Sequence, residues 1–556
     1  MATSPVSSKT STTKDSCRRC RDIGLPKIFA GNISFEHAEF VCDLDASVDQ
    51  LEASDCSLCQ LLASMAPSDL DDDGSARVKN CHLRAFSMGR IFPTLSPTSP
   101  LNLPGSGDTT LLAVLRSDFA DYSWSQYNPS FHKTVRSLEE TGLLFPYQGK
   151  LRPPHFDVRE ISAGEFDIMF ARKHLDYCRI NHGDACSLRE VEYFYRVIDC
   201  HAMTIITAPS GCKYVALSYV WGQQPSSSSP PAINDHLAQP LLTNAPKVIL
   251  DAIEVAKALD LQYLWVDRYC INQSDLSDKH SQIGQMDMIY ANAQVTIIAA
   301  TENGPEHGLP GVRGTARNSQ PHLRQGDRAY ISTLPHLRSA INNSKWATRG
   351  WTYQEGLLSA RRIIFTQHQV YFECNSMYCA EAVILPLDAM HGKGRERFNP
   401  LFPPGAFNWE ITVKESRRII SYIHEFSRRE LTFPSDALNA MQGIFSHFEK
   451  AKAPVYQMMG VVIPSPAAML EYSRGPPHPQ WSPANSLAMG LTWYWKKPGR
   501  RRKGFPSWSW AGWEGEVSGK LWLMSSWATP QIECEVSIEN DSGALLQFPP
   551  FEELPG

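Results

Sequence analysis

From Tyr214 onward the chain alternates short apolar runs with amphipathic stretches, and this alternation restricts the fold more than any other feature. YVALSYV (214–220) is a β-prone run ending at Trp221 and Gly222, YLWVD (263–267) is a second, and VTIIAA (295–300) a third. Between the first two, Val248, Ile249, Ala252, Ile253, Val255, Ala256 and Leu259 recur at helical spacing, with Asn244 placed to cap the helix and Pro246 in its first turn. A second helix is expected over 280–291. Strands that are apolar throughout need cover on both faces. The pattern therefore predicts an α/β fold: adjacent parallel strands joined by right-handed crossovers, with helices on both faces of the sheet.

The flanks are less regular. Residues 1–15 are rich in Ser, Thr and Lys and are expected to form a disordered tail. Residues 16–200 mix short apolar runs with Pro and Ser clusters such as FPTLSPTSPLNLPGSGD (92–108), which suggests an irregular α+β region ahead of a core at 201–375. In that core WATRGWTYQEGLLSA (346–360) is helical in its second half, and RRIIFT and VYFEC are strand-like. Residues 376–556 form a second α+β region, with helix patterns in ESRRIISYIHEFSRREL (415–431) and SDALNAMQGIFSHF (435–448). FPSWSWAGW (505–513), read as a strand, puts Trp508 and Trp510 on one face. A length of 556 residues implies two or three packed units.

Charge and cysteine usage narrow the functional classes. A net charge of -5 provides no cationic field, so neither nucleic acid nor anionic lipid is implied as a partner. The basic run Arg500 to Lys503 reads as a solvated loop, with a nuclear signal or a nucleic-acid contact as the alternative. No apolar run reaches the length of about 18 residues that spans a membrane, and the first residues lack the apolar stretch of a signal peptide, which places the protein in the cytosol or nucleus. Fourteen cysteines spread over such a chain favour free thiols or a metal site over a disulfide scaffold. Cys17 and Cys20, like Cys56 and Cys59, have the two-residue spacer that lets paired thiolates face one tetrahedral zinc; 35 residues separate the pairs, and unligated core thiols are the competing reading. HExxH, GxxxxGK, GxGxxG and GxSxG are all absent, which removes support for zinc proteases, P-loop NTPases, ordinary dinucleotide dehydrogenases and standard serine hydrolases.

Three blocks stand in fixed order: YVALSYVWG (214–222), YLWVDRYCINQSD (263–275) with QMDMIYANA (285–293), and RGWTYQEGLLSARRIIF (349–365). Together they resemble the signature blocks of the fungal heterokaryon-incompatibility (HET) domain family. SDALNAMQGI and FPSWSWAGW are similar to sequences that follow that domain. The resemblance implies a role in fungal nonself recognition, in which incompatible partners trigger growth arrest or cell death. It further implies a distant likeness to TIR domains, with their flavodoxin-like doubly wound sheet. Some TIR domains hydrolyse NAD with a glutamate four residues after a tryptophan, the spacing of Trp351 and Glu355 here.

On a helix, Trp351 and Glu355 share a face, so an indole can pack a base while the carboxylate engages a ribose. Cleavage of the glycosidic bond of NAD develops oxocarbenium character that a carboxylate stabilises. The plainer reading is that Glu355 pairs with Arg349 or Arg361. Asp267 and Asn272 follow a strand end, where they either bind a ribose or phosphate or shape the turn. Ser218 and Trp221 either line the same crevice or belong to the core, and Arg349 either holds a phosphate or is a structural arginine. Two functions follow: a NAD-consuming enzyme, with NAD as substrate rather than cofactor, or a signalling scaffold that works by self-association or by meeting an incompatibility partner. Glu355 is expected at the carboxyl end of the sheet, beside a cavity lined by Ser218, Trp221, Asp267 and Asn272.

Overall fold

Every residue of Tyr214–Ser218 and of Val295–Ala299 is buried, which requires cover on both faces of the sheet. In the computed structural model Tyr214–Ser218 is the central strand. Val295–Ala299 pairs with it in parallel on one side, Val295 opposite Val215 and Ile298 opposite Ser218. Tyr263–Trp265 pairs with it in parallel on the other, Tyr263 opposite Tyr214 and Trp265 opposite Ala216. The three apolar runs are thus adjacent and parallel, and their carboxyl ends share one edge.

The sheet does not remain parallel. Beyond Tyr263–Trp265 come Arg196–Asp199, Thr204–Thr207 and Gln239–Pro240, each antiparallel to its neighbour, while Arg361–Phe365 follows Val295–Ala299 on the far side. A wholly parallel sheet was the expectation; the observed sheet is mixed. Arg196–Asp199 and Thr204–Thr207 are joined by a four-residue turn, in which the Asp199 carboxylate accepts from the backbone N–H groups of His201 and Ala202 and Met203 has a left-handed φ of 54°. A connection that short permits only antiparallel pairing.

The structure describes residues 17–31, 39–44, 46–67, 81–91, 109–116, 136–147, 156–188, 195–222, 239–240, 245–391, 405–407, 418–470, 482–519, 534–539 and 543–550. The expected tail at 1–15, the Pro/Ser cluster at 92–108 and the cap at Asn244 lie outside them. The chain divides into two units. One comprises Met1–Ala185, Leu309–Asn343 and Ile364–Ala406; the other comprises Cys186–Gly308, Ser344–Ile363 and Phe407–Gly556.

The first unit contains a six-stranded antiparallel sheet, running in spatial order Glu39–Asp43, Cys81–Ser87, Thr110–Arg116, Leu144–Tyr147, Arg328–Ser332, His322–Gln325. Its core gathers Leu44, Leu58, Leu61, Leu62, Leu83, Leu112 and Val114. Elsewhere in this unit Arg317 and Glu381 form a fully buried pair, with Nη1 to Oε2 at 2.5 Å and Nη2 to Oε1 at 3.1 Å. The same Glu381 carboxylate accepts from the backbone N–H groups of Asp167 and Val370.

The second unit carries the parallel strands of the mixed sheet and a helical core. Lys247–Ala258 buries Val248, Ile249, Ala252, Ile253, Val255 and Ala256, the predicted stripe. This helix and Gly350–Leu358 both pack on the central strand. The single helix expected over 280–291 is two, Leu276–Ile283 and Met286–Asn292, broken at Gly284, where helix propensity is low. Arg418–Ser427 and Gln442–Glu449 pack with Tyr353 and Leu357 around Ile419, Met441, Ile444 and Phe445. FPSWSWAGW is not a strand: Trp510 to Gly512 is a 3-10 turn, so Trp510 is 3% exposed and Trp508 40% instead of sharing a face. Among the described residues no helix is long and apolar enough to cross a membrane.

Candidate functional site

Ser218 closes the central strand, fully buried at the carboxyl edge of the sheet. Its hydroxyl donates to Glu355 Oε2 at 2.5 Å and accepts from the indole N–H of Trp346 at 2.7 Å. Glu355 lies on Gly350–Leu358, a helix whose inward face the sequence makes nearly continuous in Thr352, Tyr353, Gln354, Glu355, Gly356 and Leu357, all buried. Only 4% of Glu355 is exposed. Burial pushes its carboxyl up to about 8, and the charge of Asp267 adds to that; the hydroxyls of Ser218 and Tyr290 and the charge of Arg349 oppose it.

Asp267 begins the short helix Asp267–Cys270 that follows Tyr263–Trp265. Both its oxygens accept from the Trp221 indole N–H, at 3.1 and 2.9 Å, and Oδ1 accepts from the Arg268 backbone N–H at 2.7 Å. Burial raises its carboxyl to about 7 against those donors and the Arg268 charge. Trp221, 37% exposed, is held edge-on by Asp267 while the Arg268 guanidinium lies 5.9 Å from its ring centroid. Two carboxyls with raised proton affinity therefore stand at the ends of adjacent parallel strands, and each is fixed by an aromatic N–H, directly for Asp267 and through Ser218 for Glu355. That edge is where open α/β sheets bind ligands.

The other expected site residues are placed differently. Asn272 Oδ1 accepts from the Ser274 backbone N–H and hydroxyl, at 3.2 and 2.7 Å, so its side chain shapes the turn. Arg349 is half-buried and donates to the Thr432 hydroxyl. The Trp351 indole N–H donates to Asp436 Oδ2 at 3.1 Å, and its ring packs on the helical core, so it is not offered as a stacking surface beside Glu355. Sequence reasoning missed Trp346 and Tyr290. Both fall inside quoted motifs, WATRGWTYQEGLLSA and QMDMIYANA, but nothing in their spacing ties them to Ser218 or Glu355.

In the first unit Cys17 precedes the helix Arg18–Ile23, which carries Cys20, and Cys56 precedes Ser57–Ser64, which carries Cys59. The Cys20 and Cys59 sulfurs lie 3.4 Å apart, those of Cys17 and Cys59 3.7 Å apart, and all four lie within 4.8 Å of one another. Four thiolates about 2.3 Å from a tetrahedral zinc are separated by about 3.8 Å, so the cluster fits a metal ion.

Residues 214–355 match the family model described as Heterokaryon incompatibility protein (HET). Heterokaryon incompatibility protein 6, OR allele, of Neurospora crassa is 29% identical over 134 residues, covering 21% of this chain and 20% of that protein, so the match spans about a fifth of the relative's length. No solved structure gives a significant match. The matched segment begins at the first residue of the central strand and ends at the glutamate that bonds to its last, so the likeness to the heterokaryon incompatibility (HET) family rests on the residues that build this site.

Proposed function

We propose that this chain acts inside fungal cells in nonself recognition and cell death, and that its HET domain is a TIR-like module that hydrolyses NAD. One observation carries this reading: Glu355 and Asp267 meet at the carboxyl edge of the parallel strands with proton affinities raised into the neutral range. The carboxylate form of Glu355, the minor form near neutral pH because its carboxyl is raised to about 8, stabilises the oxocarbenium ion as the bond between the ribose C1′ and the nicotinamide nitrogen breaks, its electron pair leaving on that nitrogen. Water then adds at C1′ and gives its proton to Asp267 in carboxylate form, yielding ADP-ribose and neutral nicotinamide. Trp221 supplies an exposed ring for the nicotinamide or adenine face, held at a fixed angle by Asp267.

A second reading, signalling by assembly without chemistry, is favoured by the burial of Glu355 behind Ser218 and Trp346. Under the enzymatic reading, self-association or an incompatibility partner opens this edge to substrate. Incubation of the full chain with NAD separates the two: nicotinamide release by the wild type, lost in Glu355→Gln, supports the enzyme. Cell death that persists in Glu355→Gln with no loss of NAD leaves the assembly reading standing alone. We further propose that Cys17, Cys20, Cys56 and Cys59 hold a structural zinc.

A further inference from the structure

A second group of sulfur and nitrogen ligands is made of residues that neither site above uses. The helix Ile168–Asn181 carries Cys178, and His182, its C-cap, follows one turn later with its backbone N–H donating to the Cys178 carbonyl. The strand Val370–Cys374 ends at Cys374, whose sulfur is 3.3 Å from His182 Nδ1. The ligand atoms of Cys178, His182 and Cys374 all lie within 4.8 Å of one another, the three residues are buried, and neither cysteine is in a disulfide.

Hydrogen bonds assign the proton on His182. The Leu387 carbonyl can only accept, so His391 Nδ1, 2.6 Å away, bears a hydrogen and His391 Nε2 presents a lone pair. That lone pair faces His182 Nε2 at 2.8 Å, so the His182 hydrogen is on Nε2 and its Nδ1 lone pair points among the sulfurs. An imidazole anchored through one nitrogen, with the other aimed at thiols, is the arrangement second-shell partners impose on metal-ligating histidines. Cys374 is prepared in the same sense, since the Ser376 backbone N–H points at its sulfur at 3.4 Å. A thiol donating to Nδ1 would account for one of these cysteines. It leaves the convergence of both on a single lone pair unexplained.

We propose that Cys178, His182 and Cys374 bind a zinc ion at a site separate from the four-cysteine cluster, with His391 positioning His182. The ion ties the end of the helix to the distant strand and neutralises buried thiolates that no cationic side chain need then approach. The full-length chain, purified without chelator, tests this by elemental analysis alongside Cys17→Ser/Cys20→Ser and Cys178→Ser/Cys374→Ser. The expected result is zinc retained in the first variant and, relative to the wild type, one equivalent lost in the second. Whether or not the second variant folds, zinc-edge X-ray absorption on the wild type gives an independent reading: a nitrogen shell beside the sulfur shell is expected. Cobalt loaded into Cys17→Ser/Cys20→Ser should likewise show a thiolate-to-metal band that disappears on adding Cys374→Ser. A wild type without zinc, zinc lost entirely with Cys17 and Cys20, an all-sulfur shell, or a disulfide between Cys178 and Cys374 would each overturn the proposal.

Discussion

Glu355 makes stability depend on pH in a direction set by its burial. An ordinary glutamate titrates near 4.5, whereas this one is raised to about 8, so between those values the folded chain holds a proton that the unfolded chain has released. The stabilisation is complete below the lower value and fades as pH rises through the upper one. Glu355→Gln, neutral at every pH, should remove this dependence: its melting temperature should exceed that of the wild type above about pH 8 and approach it near about pH 5. Parallel curves for the two proteins would show that the carboxyl titrates as it does in water. Asp267, raised to about 7, contributes a slope of the same sign that the substitution leaves in place. In the first unit, Glu381→Ala strands the Arg317 guanidinium without its carboxylate in a fully buried position. A loss of about 3–5 kcal/mol in denaturant unfolding is expected, because an uncompensated buried charge is worse than no ion pair at all.

Among the elements, Gln442–Glu449 shows how a motif of no evident chemistry holds the site. Gly443 lets this helix approach its neighbours closely: a Cβ there would lie 2.3 Å from the Asp287 Cβ and 2.8 Å from Leu358 Cδ1. Its N–H donates to Gln354 Oε1 at 2.9 Å, one residue from Glu355. Gly443→Ala should therefore destabilise the second unit by about 1–3 kcal/mol, read as a lowered denaturation midpoint, because a backbone-fixed Cβ cannot move aside. A fully tolerated alanine would mean that the helix can slide without cost. The helices and strands of the core were legible in the sequence, since Val248, Ile249, Ala252 and Ile253 recur at a period that only a helix satisfies. The breaks were not. Gly284 divides the stretch expected as one helix, and FPSWSWAGW alternates like a strand while forming a 3-10 turn in which Ser509 accepts from the Ala511 N–H.

For the whole molecule, metal content is the most direct observable. If zinc occupies the cysteine clusters, a strong chelator should lower the thermal transition and added zinc should restore it, by about 2–4 °C for each kcal/mol of binding energy lost from a unit of 150–250 residues. An unchanged transition after verified metal removal would assign these cysteines to packing. The order of the three motifs, the α/β character of the core and the pairing of Cys17 with Cys20 and Cys56 with Cys59 could all be read before any coordinates, because periodicity and short spacing are local properties of a chain. Contact between residues far apart in sequence is not local. Ser218 and Glu355 are 137 positions apart, and His182 and Cys374 are 192 apart. Their meeting depends on strand order and helix docking, which any one segment encodes only weakly. The same holds for charge: nothing in WTYQEG distinguishes a solvated glutamate from one nearly closed off from water, and only tertiary burial, reinforced by the charge of Asp267, raised the Glu355 carboxyl to about 8.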